Sequence, residues 1–148
     1  MIRRYGLNDI EPMLTILETD LKDTIYRDMK FSHTKLGDTL RGNVGNTQFF
    51  GNLAVEEEKI IGGLVATVVA PMFSYEVIAY DHFFYVVPDK RSLGVATALV
   101  AGYIEWAKER KVRRVVLSNS MRRNVDTFAR LATRLGFEQD GTIHSMEI

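Results

Sequence analysis

The chain has 148 residues, of which 46% are hydrophobic and 26% charged, and its formal net charge is zero. This length suits one domain with a buried core, so we expect a single domain over residues 1–148. The absence of cysteine excludes disulfides, thiolate-bound zinc and a cysteine nucleophile, and it favours a cytoplasmic protein. No apolar run approaches the length of a membrane span and no signal-like segment is visible, so we expect neither.

Charge is unevenly distributed along the chain. Residues 1–89 carry 8 basic and 13 acidic side chains, whereas residues 90–148 carry 11 basic and 6 acidic ones. A basic half could meet the phosphates of a nucleic acid or of a small cofactor, or it could form a solvated helix face. The densest basic run, residues 108–114, has no interleaved aromatic side chains, so we expect no nucleic-acid partner.

The first half of the chain changes from a helical to a strand pattern. Asn8, with Glu11 three residues later, predicts a helix start, and the adjacent Gly62-Gly63 pair predicts a bulge or a close backbone approach. The predicted elements are a strand over residues 2–5, helices from 8 to about 21 and from 32 to about 40, and strands over 49–55, 60–69 and 77–87.

The second half alternates strands and helices. We predict a helix from about 95 to 111, a buried strand over 114–118, a helix over 124–135 and a closing strand over 142–148. Strand–helix–strand units require parallel pairing of their strands. The fold class is therefore α/β (α+β), with a mixed central sheet of about six to seven strands, an antiparallel first half and helices on both faces.

The segment from Val86 to Ala96 reads VVPDKRSLGVA. An apolar strand ends at Pro88, two cations follow, and Gly94 stands at the start of a helix. Backbone amides at a helix start point outward and attract anions. The segment matches neither a Walker A loop nor a dinucleotide fingerprint. It predicts an anion site, and an ordinary connection without a ligand is the alternative.

This loop resembles the acyl-CoA signature of the GNAT acetyltransferase superfamily, Arg-x-x-Gly-x-Ala, which stands here as Arg91, Gly94 and Ala96. LATRLGF at 131–137 resembles the helix end of that family, and LAVEEEKIIGGLVATV at 53–68 resembles its second and third strands. The resemblance spans nearly the whole chain. It implies an N-acetyltransferase that uses acetyl-CoA and transfers the acetyl group to an amine by direct attack in a ternary complex.

The resemblance also assigns a binding site for coenzyme A. The pantetheine arm would lie along Val86 and Val87, in a cleft where the fourth strand splays from the fifth. Asn119 and Asn124 would lie near the same arm, with a helix cap as the alternative for Asn124. The pyrophosphate would rest on the backbone amides of Ser92, Leu93, Gly94, Val95 and Ala96, beside the side chain of Arg91.

Two adjacent residues are candidates for the general base. A lysine-like amine has a pKa of about 10, so a base that removes its proton helps the attack. Asp81 and His82 lie where the family often places such a group, and neighbours on a regular strand face opposite sides, so one of them should face the cleft. Asp81 is narrowly preferred, and a purely structural role is the alternative for each. The three histidines have no ligand spacing, so no metal is expected.

The general acid and the acceptor are less defined. The tyrosine that usually serves as the acid in the family is replaced by Ala132, so water, Ser118 or Tyr103 could protonate the leaving thiol. The same departure leaves open a non-catalytic acyl-CoA-binding or interaction module. The acceptor is expected to be a small-molecule or protein amine. Eleven residues follow Phe137, which leaves room for one closing strand rather than the hairpin that is usual in the family. A second subunit of a homodimer could then complete the acceptor cleft.

Overall fold

One mixed sheet and four helices organise the chain. The structure is a computed structural model that describes residues 1–90, 93–121 and 124–148, with Leu93 described by its backbone alone. Single 3-10 turns at Leu7–Asp9 and Pro88–Lys90 precede the first and third helices. The elements are β1 (Ile2–Arg4), α1 (Ile10–Leu21), α2 (His33–Gly42), β2 (Phe49–Glu56), β3 (Lys59–Val69), β4 (Ile78–Val86), α3 (Leu93–Glu109), β5 (Arg114–Val116) and α4 (Val125–Arg134).

The strands follow one another in the sheet in chain order, β1-β2-β3-β4-β5. The first four are antiparallel, whereas β4 and β5 are parallel and are joined through α3. The predicted fold class, a mixed sheet with an antiparallel first half and helices on both faces, is therefore confirmed. The predicted strand count of six to seven is too high, because the described residues form five strands.

The closing strand predicted over residues 142–148 is wrong. This segment has no regular secondary structure, and its apolar side chains Ile143, Met146 and Ile148 are exposed. A strand exists only through the backbone hydrogen bonds of a neighbouring strand. The edge strands of the described sheet are β1 and β5, and β5 is a strand only from Arg114 to Val116, so it ends before the predicted Ser118. Residues 142–148 therefore have the sequence pattern of a strand but pair with no strand in the described chain.

The two faces of the sheet carry separate hydrophobic cores. Alternate residues of a strand point to opposite faces, and β3 shows this directly: Leu64 and Ala66 pack toward α3, whereas Val65 packs toward α1 and α2. The first core includes Tyr103 and Trp106 of α3. Both faces of the central strands are thus covered, and this holds β4 firmly in place.

Two irregularities lie in the central hairpin. The register between β2 and β3 shifts after Ala54, next to the Gly62-Gly63 pair, and a Cβ atom on Gly63 would lie 2.9 Å from the Tyr85 ring. Of the two predicted alternatives the bulge is confirmed, and the glycine at 63 also leaves room for the Tyr85 ring. A second shift leaves His82 of β4 without a partner residue on β3. No helix in the described part of the chain is long and apolar enough to cross a bilayer.

Candidate active site

A cavity of about 670 Å³ lies where β4 and β5 separate. The two strands pair only between Ile78–Tyr80 and Arg114–Val116. Beyond this point, residues 81–86 of β4 form one wall of the cavity and residues 118–121 form the facing wall. The last turn of α1, the loop that follows it, one side of α4 and Ala96 of α3 complete the lining. The separation of two parallel strands therefore creates a large space beside a strand that is otherwise rigidly held.

Asp81 is the buried carboxyl of this cavity. It is 3% exposed, and its Oδ1 accepts a hydrogen bond from the Ser118 backbone N–H at 2.9 Å. The Ser118 hydroxyl donates to Oδ1 at 3.0 Å and lies 3.1 Å from Oδ2. Burial raises the pKa of Asp81 to about 6, while the hydrogen bonds from Ser118 act in the opposite direction. At neutral pH this carboxyl is ionised and can accept a proton.

His82, the other candidate base, lies in a different environment. Its Nε2 is 2.7 Å from the Thr67 hydroxyl, and its ring meets the Tyr80 ring edge-on at a centroid distance of 6.0 Å. Desolvation of the ring lowers the pKa of His82, although the residue as a whole is exposed. His82 also lines the cavity. The structure therefore brings both candidates to one cavity, but only the Asp81 side chain is buried there.

The candidate loop for coenzyme A precedes α3. Arg91 and Ser92 lie outside the described residues, and Leu93 begins the helix. Gly94 and Val95 follow in the first turn, and Ala96 in that turn lines the cavity. The first turn of a helix presents amides that have no i−4 carbonyl to bond. The predicted anion site therefore borders the cavity through Ala96.

Val86 and Val87 differ in their surroundings. Val86 lines the cavity. The Val87 N–H donates to the Ile61 carbonyl at 2.9 Å, and the Val87 carbonyl accepts from the Lys90 N–H at 2.9 Å. Val86 is therefore the better placed of the two for a ligand in the cavity.

The two predicted asparagines both line the cavity. The Asn119 side-chain oxygen accepts from the Met121 N–H at 3.0 Å, which shapes the turn after β5. Asn124 occupies the N-cap position of α4 in a left-handed conformation, with φ of 59°, and its side chain makes no cap hydrogen bond. Asn124 thus has the position of a helix cap without its usual contact.

Several features of the cavity carry no local sequence signal. Thr24 and Met121 form an isolated antiparallel bridge, and the Ile25 N–H donates to the Ser120 carbonyl at 3.1 Å, so the loop after α1 closes one side. The Tyr85 hydroxyl is buried and has no hydrogen-bond partner among the described residues. The contacts of Thr24 and Ile25 with residues 120–121 join segments far apart in sequence, so short sequence motifs cannot predict them.

The two side chains considered as the general acid, Ser118 and Tyr103, lie in different surroundings. Tyr103 is fully buried in α3, and its hydroxyl donates to the Val116 carbonyl at 3.0 Å. Burial raises the pKa of Tyr103, and the nearby charge of Asp81 adds to this effect. Ser118 lines the cavity, whereas Ala132 is a half-buried residue of α4. Ser118 is therefore closer to any chemistry in the cavity than Tyr103.

The basic run at 108–114 makes contacts with its own chain. Lys108 pairs with Glu105 at 2.7 Å and Arg114 with Asp140 at 2.8 Å. Arg110 donates to the Thr47 carbonyl at 2.8 Å. These contacts account for much of the run, and the expectation of no nucleic-acid partner stays a prediction.

The family model described as Acetyltransferase (GNAT) family matches residues 13–137. The match covers most of both cores, β4 and the cavity. The chain belongs to the GNAT acetyltransferase family, and the resemblance predicted from the sequence is confirmed. No curated protein matches the sequence.

Solved structures share the fold across the whole chain. A predicted acetyltransferase with acetyl-CoA from Clostridium acetobutylicum has a TM-score of 0.80 at 18% identity, covering 99% of this chain and 95% of that one. An aminoglycoside acetyltransferase with sisomicin, from an uncultured soil metagenomic sample, has a TM-score of 0.69 at 20% identity, covering 100% and 96%. A ribosomal-protein-alanine N-acetyltransferase from Brucella melitensis biovar Abortus 2308 has a TM-score of 0.72 at 16% identity, covering 100% and 99%.

Proposed function

We propose that the protein is an N-acetyltransferase that transfers the acetyl group of acetyl-CoA directly to an amine bound in the same cavity. The observation that carries this proposal is the buried carboxyl of Asp81 in the wall of a cavity of about 670 Å³. The cavity lies at the separation of β4 and β5 and borders the first turn of α3 through Ala96. One space thus joins a base and a candidate anion site.

The first turn of α3 suits the pyrophosphate of acetyl-CoA. Acetyl-CoA is a substrate of the reaction, and it supplies the acyl group as an activated thioester. Amides of a helix start and the helix dipole favour an anion at this place. Gly94 in this turn is exposed and has no side chain, so phosphate oxygens can approach the backbone. Arg91 would add a positive charge, and Val86 would line the path of the pantetheine arm.

Asp81 would act as the general base. An amine bound from water at neutral pH is mostly protonated, and only its neutral form attacks a thioester. The Asp81 carboxylate is held in one orientation by the N–H and hydroxyl of Ser118. A pKa of about 6 leaves it ionised at neutral pH yet more basic than an exposed aspartate. His82, which is exposed and also lines the cavity, is the alternative base.

Two similar structures support an amine as the acceptor. Their names specify an aminoglycoside in one case and the alanine of a ribosomal protein in the other. Both are amines, one a small molecule and the other part of a protein. Either class fits the proposal for this chain. Cytoplasmic location, a second subunit and the absence of a metal stay predictions of the sequence.

Calorimetric titration of acetyl-CoA and free coenzyme A tests the binding half of the proposal. We expect the wild type to bind both, and Gly94→Glu to bind at least about tenfold more weakly, because a carboxylate in the first turn of α3 repels the pyrophosphate. Ala101→Glu is the matched control, since it adds the same charge to an exposed position two turns further along α3.

The results distinguish the acetyltransferase from a non-catalytic binding module and from a loop without a ligand. If the wild type binds neither ligand, the loop is an ordinary connection and the acetyltransferase proposal is wrong. If it binds both but acetylates no amine in a screen of aminoglycosides, polyamines and peptide amino termini, the non-catalytic acyl-CoA-binding module is correct. Equal weakening by both glutamates would place the pyrophosphate elsewhere.

A further inference from the structure

The leaving sulfur of the thioester needs a proton, and several side chains of the cavity carry a hydroxyl or an imidazole that could deliver one. The Tyr103 hydroxyl already donates to the Val116 carbonyl, and Ala132 stands where the family usually has a tyrosine. The Thr24 hydroxyl, in the same cavity, donates to the Leu21 carbonyl at 2.8 Å. Among the described hydroxyls of the cavity, that of Ser118 is the one hydrogen-bonded to the buried carboxyl.

Ser118 is fixed relative to Asp81 by two independent contacts. Its backbone N–H donates to Oδ1 at 2.9 Å, and this contact does not depend on the side chain. Its Oγ lies 3.0 and 3.1 Å from the two carboxyl oxygens. Ser118 comes two residues after β5 ends, on the wall of the cavity that faces β4. Ser118 therefore lines the cavity with its hydroxyl in contact with the buried carboxyl.

A serine hydroxyl can donate and accept hydrogen bonds at the same time. With Asp81 ionised, the Ser118 O–H donates to the carboxylate. With Asp81 protonated, the carboxyl O–H can donate to Ser118 Oγ, and the serine proton is then available to a third atom. The direction of this hydrogen bond therefore reverses with the protonation of Asp81, without movement of either side chain.

We propose that Ser118 is a catalytic relay residue that passes the proton collected by Asp81 to the leaving sulfur. The inference rests on the proposed function. The amine attacks in its neutral form, its ammonium proton having been released to solvent: the nitrogen forms its bond to the acyl carbon, the carbon–sulfur bond breaks, and the electron pair of that bond stays on sulfur. Asp81 takes the proton from nitrogen and transfers it to Ser118 Oγ, while the Ser118 hydroxyl proton moves to sulfur. Asp81 and Ser118 end as they began, and the products are an amide and a thiol.

The first test measures contact between Ser118 and the sulfur without any turnover. Coenzyme A and its desulfo analogue, in which hydrogen replaces the thiol group, are titrated into wild type and Ser118→Ala by calorimetry. We expect removal of the sulfur to weaken binding about threefold or more in the wild type, and by less in Ser118→Ala. Ser118→Thr keeps the hydroxyl and should behave as the wild type does.

The outcomes separate this inference from the proposed function. If neither ligand binds to the wild type, both are wrong. If both ligands bind and the sulfur has the same effect in wild type and Ser118→Ala, the serine does not reach the sulfur and the relay alone is wrong. Circular dichroism and thermal melting show whether each variant is folded, and Ser118→Thr provides a second measurement if Ser118→Ala is not.

The second test varies the leaving group. Ser118→Ala should lower turnover with acetyl-CoA by about 100-fold, in the range of general acid catalysis. The loss should be much smaller with p-nitrophenyl acetate, because its nitrophenolate leaves without a proton. Equal losses with the two donors would show that Ser118 only orients Asp81, and would overturn the relay. Ser120→Ala is the matched control: it removes another hydroxyl of the cavity lining, one without a hydrogen bond to Asp81 in the structure, so any loss it causes should be equal for the two donors.

Discussion

The two halves of β4 belong to one strand but have different neighbours. Residues Ile78–Tyr80 pair with β3 on one edge and with β5 on the other. Asp81 and residues 83–86 pair with β3, His82 lies at the shift of register, and the pairing of β4 with β5 does not extend past Tyr80, where residues 81–86 line the cavity. The first half contributes Ala79 to the hydrophobic core, whereas the second half begins with a buried carboxyl.

This difference shows how the fold combines rigidity with a binding space. In the first half, neighbouring strands satisfy the backbone groups on both edges, and the side chains can serve packing alone. In the second half, the loss of β5 exposes one edge to a ligand, while β3 still holds the backbone. Function should therefore be sensitive to changes in the second half, and stability to changes in the first. The following predictions test that division, beginning with the largest effect.

Asp81→Asn should lower kcat by about 100-fold or more, because the amide cannot accept the proton of the amine. Its side-chain oxygen can still accept from the Ser118 N–H, so the fold should persist. Steady-state kinetics at pH 8 measures the loss, and thermal unfolding of the same sample verifies the fold. An active Asp81→Asn variant would assign the base to His82 or to another group.

The same variant should change the pH dependence of stability. The pKa of Asp81 is about 6 in the folded protein and about 3.9 in an unfolded chain. Between these values the folded state binds more protons, so the free energy of unfolding of the wild type should fall as pH rises from about 4 to 6. Asp81→Asn lacks this titration, so its free energy of unfolding should change less between pH 4 and pH 8 than that of the wild type, by on the order of 2 kcal/mol. Denaturant unfolding at pH 4 and pH 8 measures the difference.

Ala79→Leu tests the paired half. Ala79 is fully buried against the α3 core, so the added carbons should crowd it and lower the free energy of unfolding by about 2 kcal/mol. Chemical denaturation gives the value, and Ala101→Leu adds the same volume at an exposed site as a control. The affinity for coenzyme A should change little. If the free energy of coenzyme A binding fell by more than the free energy of unfolding, the division of β4 into a packing half and a binding half would be wrong.

Tyr85→Phe should have the smallest effect. The Tyr85 hydroxyl is buried without a hydrogen-bond partner in the described structure, so its removal should leave stability unchanged or raise it by about 1 kcal/mol. Tyr5→Phe is the matched contrast, because the Tyr5 hydroxyl donates to the Leu40 carbonyl at 2.8 Å, and its removal should cost about 1 kcal/mol. Thermal unfolding of both variants gives the comparison. Reduced turnover in Tyr85→Phe at normal stability would indicate that this hydroxyl contacts the acceptor.

Local sequence patterns determined most of the elements and the family. Apolar and β-branched runs predicted β2, β3 and β4, and the loop with Gly94 and Ala96 predicted both the start of α3 and the acetyltransferase family, which the family match confirms. These features are set within a few neighbouring residues, by side-chain period and by the backbone freedom of glycine. The same local reasoning failed for residues 142–148, because a strand also requires the backbone of a distant segment.

The tertiary structure alone decided what surrounds Asp81. The sequence proposed Asp81 and His82 as near equals, and neither residue type nor spacing could rank their burial. The shift of register beside His82, the early end of β5 and the approach of Ser118 to the carboxyl follow from how distant strands meet. Burial and hydrogen bonding set the basicity of a carboxyl, and both depend on atoms far apart in the chain. The sequence therefore determined the family and the candidate residues, and only the folded chain decided which of the two candidate bases is buried in the cavity.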